Sequence, residues 1–270
     1  ASKLNTIGVI VINISNRSKI FRILKLIKTI KDISPRKIYI HYSIEAMVAC
    51  KLANFNFVEV WHNDYELIRG IKKIVYRFLL KNTKIYAFSD KVISTNSIRF
   101  NINKRNIIKI RYGIDFEFLR YKEKDYEKII IGLAARNDKA KGIDEFIELV
   151  DKFSNIKFKI KTNNVNELPE FYNLEKEVFS LDIFNFYDSI NVFLITSKRE
   201  SGPLTLLENM AVKNIVISTK VGIAEEVIKD GKNGFLYNIG NKEQLNGIIK
   251  KIISLDYTKR KLIAQNGYNT

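Results

Sequence analysis

The stretch VFLITSKRESGPLTLLE, residues 192–208, holds the densest signal in the chain. VFLI is apolar and reads as a buried strand. TSKRESG follows as a small polar loop, and Pro203 suits the first position of a helix with Gly202 or Ser201 as its cap. A strand that turns sharply into a helix leaves unpaired backbone N–H groups at the positive end of the helix dipole. That is an anion site, best suited to phosphate. Glu200 and Glu208 bracket the turn. Two carboxylates beside a phosphate would repel it, so they make better sense as acceptors for sugar hydroxyls. An ordinary strand-to-helix turn with two solvated glutamates stays open as the alternative.

The same strand-then-helix rhythm extends in both directions. Upstream, strands are predicted at 7–12, 37–41, 57–61, 84–88 and 107–111, with helices at 19–33, 44–53, 66–80 and 91–100. Downstream, strands are predicted at 128–134, 156–161, 178–181, 192–196, 215–219 and 234–237. Helices alternate with them at 143–153, 183–189, 203–212, 224–229 and 242–253. Strict alternation implies an α/β protein with parallel sheets covered by helices. Ligands of such sheets sit at the carboxyl ends of the strands.

Length and charge divide this series in two. The 270 residues suit one large or two medium domains, and 46% hydrophobic content excludes global disorder. Residues 1–113 hold 22 Lys and Arg against 6 Asp and Glu, whereas residues 114–270 hold 24 against 23. The expected organisation is a basic domain over 1–113, a hinge at 114–127, a second domain over 128–255 and a C-terminal helix at 256–270 near the domain junction. One cysteine and two histidines exclude a disulfide scaffold, a Cys-based zinc site and a three-His metal centre. No uncharged apolar run is long enough to span a bilayer, and residues 1–9 do not read as a signal peptide.

Several motifs together resemble one family. ESGPLTLLENMA carries Glu200-x7-Glu208 and looks like the E-x7-E signature of the retaining glycosyltransferases of family 4 (glycosyl transferases group 1), which have the GT-B fold. IVISTKVGIAEEVIKDGKNGFLY (215–237) is similar to the family's run into a "DG-x-NG" turn, with Gly222, Glu226, Asp230, Gly231, Asn233 and Gly234 on its positions. IGLAARNDKAKGIDEFIEL (131–149) resembles the family's strand, "G-R-x4-K-G" and helix, with Arg136 and Lys141 as the two basic residues. Such cations, just after a strand, can reach a diphosphate. The first half matches more loosely. IKIRYGID (108–115) resembles the junction "NGID", and VEVWHND (58–64) resembles a strand ending in an active-site histidine, here His62. IYIHYS (38–43) matches a further strand end, where His41 reads as a structural residue. Residues 1–15 contain one glycine and no Gly-rich loop, and the chain is shorter than typical members at both ends.

The resemblance implies a GT-B architecture: two Rossmann-like domains whose sheets face each other across a cleft, the first domain reduced. It implies a retaining, metal-independent transferase of hexosyl type, with a nucleotide-diphospho-sugar as donor substrate and no cofactor; the sequence has no Asp-x-Asp motif. The expected donor-site residues are Arg136, Lys141, Glu200, Ser201, Gly202, Pro203, Leu204, Thr205 and Glu208. Arg136 and Lys141 would meet the diphosphate, Glu208 the ribose and Glu200 the donor sugar. His62 would approach the sugar from the other domain, making His62, Glu200, Arg136 and Lys141 the catalytic set. A catalytically inactive GT-B-like protein binding nucleic acid or another anion, or a nucleotide-sugar epimerase on the same fold, is the alternative. No nucleic-acid motif appears, so no nucleic-acid partner is expected.

The basic half calls for an anionic partner. Residues 19–33 read as an amphipathic helix with Ile20, Ile23, Leu24, Ile27 and Ile30 on one face and Arg22, Lys25 and Lys28 opposite. Residues 66–80 repeat the pattern, with Leu67, Ile71, Ile74 and Phe78 against Arg69, Lys73 and Arg77. Two core-facing helices with solvated basic backs are one reading. The other is an enzyme peripheral to the cytoplasmic face of a membrane, with Phe21 and Leu80 dipping into the interface and a lipid-linked or cell-envelope glycan as acceptor.

Overall fold

The computed structural model describes residues 14, 18–66, 68–114, 123–180, 182–200 and 202–270. The predicted strand at 7–12, Leu67, residues 115–122 of the predicted hinge and Ser201 lie outside the described residues. The chain forms two compact units, one of Ala1–Ala87 with Val92–Ile110 and one of Phe88–Lys91 with Arg111–Thr270.

The first unit runs α1 (Lys19–Ile33), β1 (Tyr39–His41), α2 (Ile44–Leu52), β2 (Val58–Trp61), α3 (Ile71–Leu80), β3 (Lys84–Ala87), α4 (Asp90–Phe100) and β4 (Ile107–Lys109). Its sheet is parallel in the order β1-β2-β3-β4. Because each right-handed crossover moves one strand along in the same direction, α2, α3 and α4 fall on one face of the sheet. The register sets Ile40, Glu59, Ile85 and Ile107 in a row. Ile40, Ile85, Trp61 and Ala87 join Tyr76, Leu79 and Leu80 of α3 in the core. Glu59 is fully buried in that row and accepts a hydrogen bond from Tyr76 Oη at 2.6 Å.

The second unit continues with β5 (Ile130–Ala134), α5 (Ile143–Lys152), β6 (Lys157–Thr162), β7 (Leu174–Val178), α6 (Phe184–Asp188), β8 (Val192–Ile195), α7 (Leu204–Ala211), β9 (Ile215–Thr219), α8 (Ala224–Val227), β10 (Phe235–Tyr237), α9 (Lys242–Ser254) and α10 (Tyr257–Tyr268). The sheet order is β10-β9-β8-β5-β6-β7, all parallel. This is the doubly wound order, and its direction reverses between β5 and β8. Side chains alternate between two cores. Leu133, Leu194, Ile217 and Tyr237 pack on one face; Phe193, Ile195, Val216 and Leu236 pack on the other.

Three expectations shift. The strand predicted at 178–181 is instead β7, because LEKEV hides its strand character in charge. Glu175 and Glu177 lie opposite Lys159 and Lys161 of β6 and pair with them at 3.0 and 2.8 Å. The helix predicted from 66 begins at Ile71, with Gly70 at φ +58° as its cap. Its faces are also reversed: Leu80 is fully buried, whereas Ile71, Ile74 and Phe78 are exposed. The described end of the predicted hinge is fastened to the second unit. Lys124 is buried and donates to the carbonyls of Tyr187 and Ile190, and Arg260 of α10 donates to the carbonyls of Tyr126 and Glu127. Helix α10 packs on β9 and α7.

Candidate functional site

A pocket of about 220 Å³ opens at the carboxyl ends of β5 and β8, where the sheet order reverses. Its floor is the strand ends, Leu133–Ala135 and Phe193–Ser197; Lys141, Glu200 and the run from Gly202 to Thr205 form its walls. The volume is below the roughly 300–1,000 Å³ that encloses a drug-sized ligand.

Two loops are sewn together to make it. After β5, Asp138 Oδ1 accepts from the Ala140 N–H at 2.7 Å, and the Asp138 carbonyl accepts from the Lys141 N–H at 3.0 Å. After β8, Thr196 Oγ1 donates to the Lys141 carbonyl at 2.6 Å and the Lys198 N–H donates to the Ala140 carbonyl at 2.8 Å. Gly142 lies at the crossing with φ +65°, and a Cβ there would stand 2.3 Å from the Thr196 carbonyl oxygen. Only glycine fits both the left-handed backbone and the contact.

Inside the pocket Lys141 Nζ forms an ion pair with Glu200 Oε1, the two side chains being 22% and 19% exposed. Ser197 Oγ donates to the same carboxylate oxygen at 3.1 Å, and Thr219 Oγ1 donates to the Ser197 carbonyl at 2.6 Å. Helix α7 starts one residue later than expected. Pro203 itself is the N-cap, at φ −65° and ψ 107°, and its ring offers no acceptor to cap the helix. Leu204 and Thr205, the first helical residues, line the pocket, so the positive end of α7 opens onto it. A Cβ on Gly202 would stand 2.0 Å from Tyr112 Cε2, so a side chain there would have to displace the Tyr112 ring.

The structure therefore brings Lys141, Glu200, Gly202, Pro203, Leu204 and Thr205 to one pocket. It does not bring all the expected residues there. Arg136 is exposed and is not part of the lining. Glu208 also stands outside the lining; its Oε2 accepts from Tyr187 Oη at 2.8 Å. Burial first, and the Glu208 charge second, push the Tyr187 phenol well above its ordinary range. Ser201 lies outside the described residues. The Asp230–Gly234 turn serves β10: Asn233 Oδ1 accepts from the Lys229 N–H at 2.7 Å, and Asp230 Oδ1 accepts from the Leu236 N–H at 2.8 Å. Thr196, Ser197 and Thr219 take part without having been singled out. The first two open the loop as a small polar pair; Thr219 lies within the 215–237 run but on none of its motif positions.

In the first unit the two histidines meet. His41 Nδ1 and His62 Nε2 are 2.6 Å apart, and the rings stack at 4.9 Å. One of the two nitrogens must be unprotonated to accept. Burial, and then the nearby His41, hold the His62 imidazole below its ordinary range. His41, which reads from the sequence as a structural residue, is exposed and bonded to His62.

A doubly wound sheet with a helix N-terminus and a cation at its switch point is an arrangement by which α/β proteins hold phosphate. Sequence comparison narrows the class. Residues 115–270 match the family described as glycosyl transferases group 1, and the chain belongs to that family. The chain is 26% identical over 235 residues to the capsular polysaccharide biosynthesis glycosyltransferase CapM of Staphylococcus aureus, covering 75% of this chain and 61% of CapM. It is 26% identical over 252 residues to the uncharacterized glycosyltransferase MJ1178 of Methanocaldococcus jannaschii, covering 85% of this chain and 68% of the relative. The chain thus spans about three-fifths of CapM's length. The structure of Anabaena Alr3699/HepE in complex with UDP-glucose superposes with a TM-score of 0.81 at 18% identity, covering 99% of this chain and 82% of that one. The two parallel α/β sheets are those of the GT-B fold.

Proposed function

We propose that the chain is a metal-independent, retaining glycosyltransferase of family 4 that moves a hexose from a nucleotide-diphospho-sugar to a cell-envelope or lipid-linked glycan, working at the cytoplasmic face of a membrane. The observation that carries this reading is the pocket at the switch point, with Lys141 and the start of α7 on its walls. As the bond from the anomeric carbon to the phosphate oxygen breaks, negative charge gathers on the diphosphate. The Lys141 ammonium and oriented N–H groups stabilise that charge. Glu200 holds the donor sugar hydroxyls. The acceptor oxygen attacks from the face the diphosphate leaves, and its proton passes to the departing phosphate oxygen. Arg136 and Glu208 join the donor site through the outer phosphate and the ribose, and His62 serves turnover.

The UDP-glucose complex of Alr3699/HepE makes UDP-glucose the first donor to try. The test is thermal protection by UDP-, GDP- and ADP-sugars, followed by donor hydrolysis with and without a chelator. One sugar nucleotide is expected to protect, and chelation to leave turnover unchanged. If none protects at millimolar concentration, the donor reading fails.

A further inference from the structure

Helix α3 turns its apolar stripe away from the protein. Tyr76, Leu79 and Leu80 face the core, while Ile71, Ile74 and Phe78 are 80%, 68% and 74% exposed. At 100° per residue Ile71, Ile74, Val75 and Phe78 fall within about 100° of arc, and Lys72 and Arg77 each lie about 60° beyond one of its edges. Residues 67–89 contain six Lys and Arg and no Asp or Glu. Helix α1 repeats the theme, with Ile20, Phe21 and Leu24 exposed and no buried residue along its length. Single exposed apolar side chains are ordinary; two helices that each present a row of them are not.

We propose that α3 is the membrane-docking helix of this protein. Its Ile71–Ile74–Phe78 row enters the headgroup boundary of an anionic bilayer, and the flanking Lys72 and Arg77 bind lipid phosphates. Charge selects this occupant. A second copy of the chain would bring six like charges against six, whereas an anionic leaflet neutralises them and accepts the apolar row. The basic residues do not all serve docking: Arg22 of α1 pairs with Glu45 of α2 at 3.0 Å. The proposal rests on the membrane location proposed above and deepens it; its observations lie in the first unit alone, so its failure would leave the donor-pocket reading standing.

The test is flotation of the full chain with vesicles of phosphatidylcholine, alone or mixed with phosphatidylglycerol. Binding is expected to be at least about tenfold stronger to the mixed vesicles and to weaken with salt. Ile74→Ser with Phe78→Ser should lower it at least about tenfold, equivalent to about 1.4 kcal/mol, while nucleotide binding is retained. Ile98→Ser, at another 80% exposed position, should change nothing. As a second readout, Phe78→Cys labelled with a polarity-sensitive dye should blue-shift on anionic vesicles; the native Cys50 is buried. Equal binding to both vesicles, no binding, or an unshifted dye would overturn the proposal. So would a dimer that the Ile74→Ser, Phe78→Ser variant dissolves.

Discussion

Replacing Gly142 with alanine tests whether the two pocket loops are locked as described. The native backbone has φ +65°, where an alanine costs about 1–2 kcal/mol. The added Cβ would also stand 2.3 Å from the Thr196 carbonyl oxygen and 3.1 Å from its Cβ. That oxygen belongs to the backbone at the end of β8, so the relief must come from shifting one loop, at roughly 1–3 kcal/mol. The expected loss is therefore about 2–5 kcal/mol. Gly240→Ala separates the two contributions. Gly240 has φ +75° with nothing within 4 Å of an added Cβ, so it carries only the backbone cost. Urea unfolding followed by circular dichroism gives both values. The difference between the variants measures the overlap with Thr196. Equal losses would show that the loops are not in contact at Gly142, and the seat built for Lys141 would go with them.

Glu59 makes the first unit sensitive to pH. Burial pushes its carboxyl up to about 7, against hydrogen bonds from Tyr76 and the Tyr42 backbone that pull it down. A raised acid binds more protons folded than unfolded, so its favourable contribution is complete below the ordinary value of 4.5 and is lost as pH rises to about 7. The depressed His62 acts oppositely, losing stability as pH falls through and below its ordinary 6.5. Subtracting wild type from Glu59→Gln in unfolding at several pH values isolates the Glu59 slope; an unchanged slope would refute it. Lys141→Ala is expected to cut turnover at least about tenfold, roughly 1.4 kcal/mol, and His62→Ala to lower turnover more than donor affinity. Steady-state kinetics beside donor titration would decide, wild-type rates contradicting both roles.

The alternation of the second unit was legible because its strands are buried on both faces. VFLI and IVIST read as strands at once. β7 was misplaced because its partner supplies the charges, and a sequence does not show which strand lies opposite. In the first unit the helix period was found, but its inward face was misassigned. Periodicity locates a stripe; it does not say whether the stripe or its neighbour meets the sheet. In α3 the aromatic Tyr76, which bonds to buried Glu59, takes the inward place from Ile74. Lys141 and Glu200 were legible as site residues through their motifs. Their pairing was not, since 59 positions separate them in the chain and only the crossing at Gly142 joins their loops.

That pairing changes how the pocket works. Residues assigned separately, a cation for phosphate and a carboxylate for sugar, neutralise one another at rest. An incoming diphosphate must share Lys141 with Glu200 and also meets the Glu200 charge. Glu200→Gln keeps the size and the hydrogen-bonding capacity but removes that charge. If Glu200 acts on the sugar, the variant should bind the bare nucleoside diphosphate several-fold more tightly, because Lys141 is released and the repulsion is gone. The same variant should turn over the nucleotide sugar at least about tenfold more slowly, because a neutral amide accepts sugar hydroxyls less strongly. A carboxylate that serves only to hold Lys141 in place predicts something else: affinity for the bare diphosphate and turnover fall together. Calorimetric titration with the nucleoside diphosphate, set beside turnover, separates the two, and a parallel loss would remove Glu200 from the sugar site.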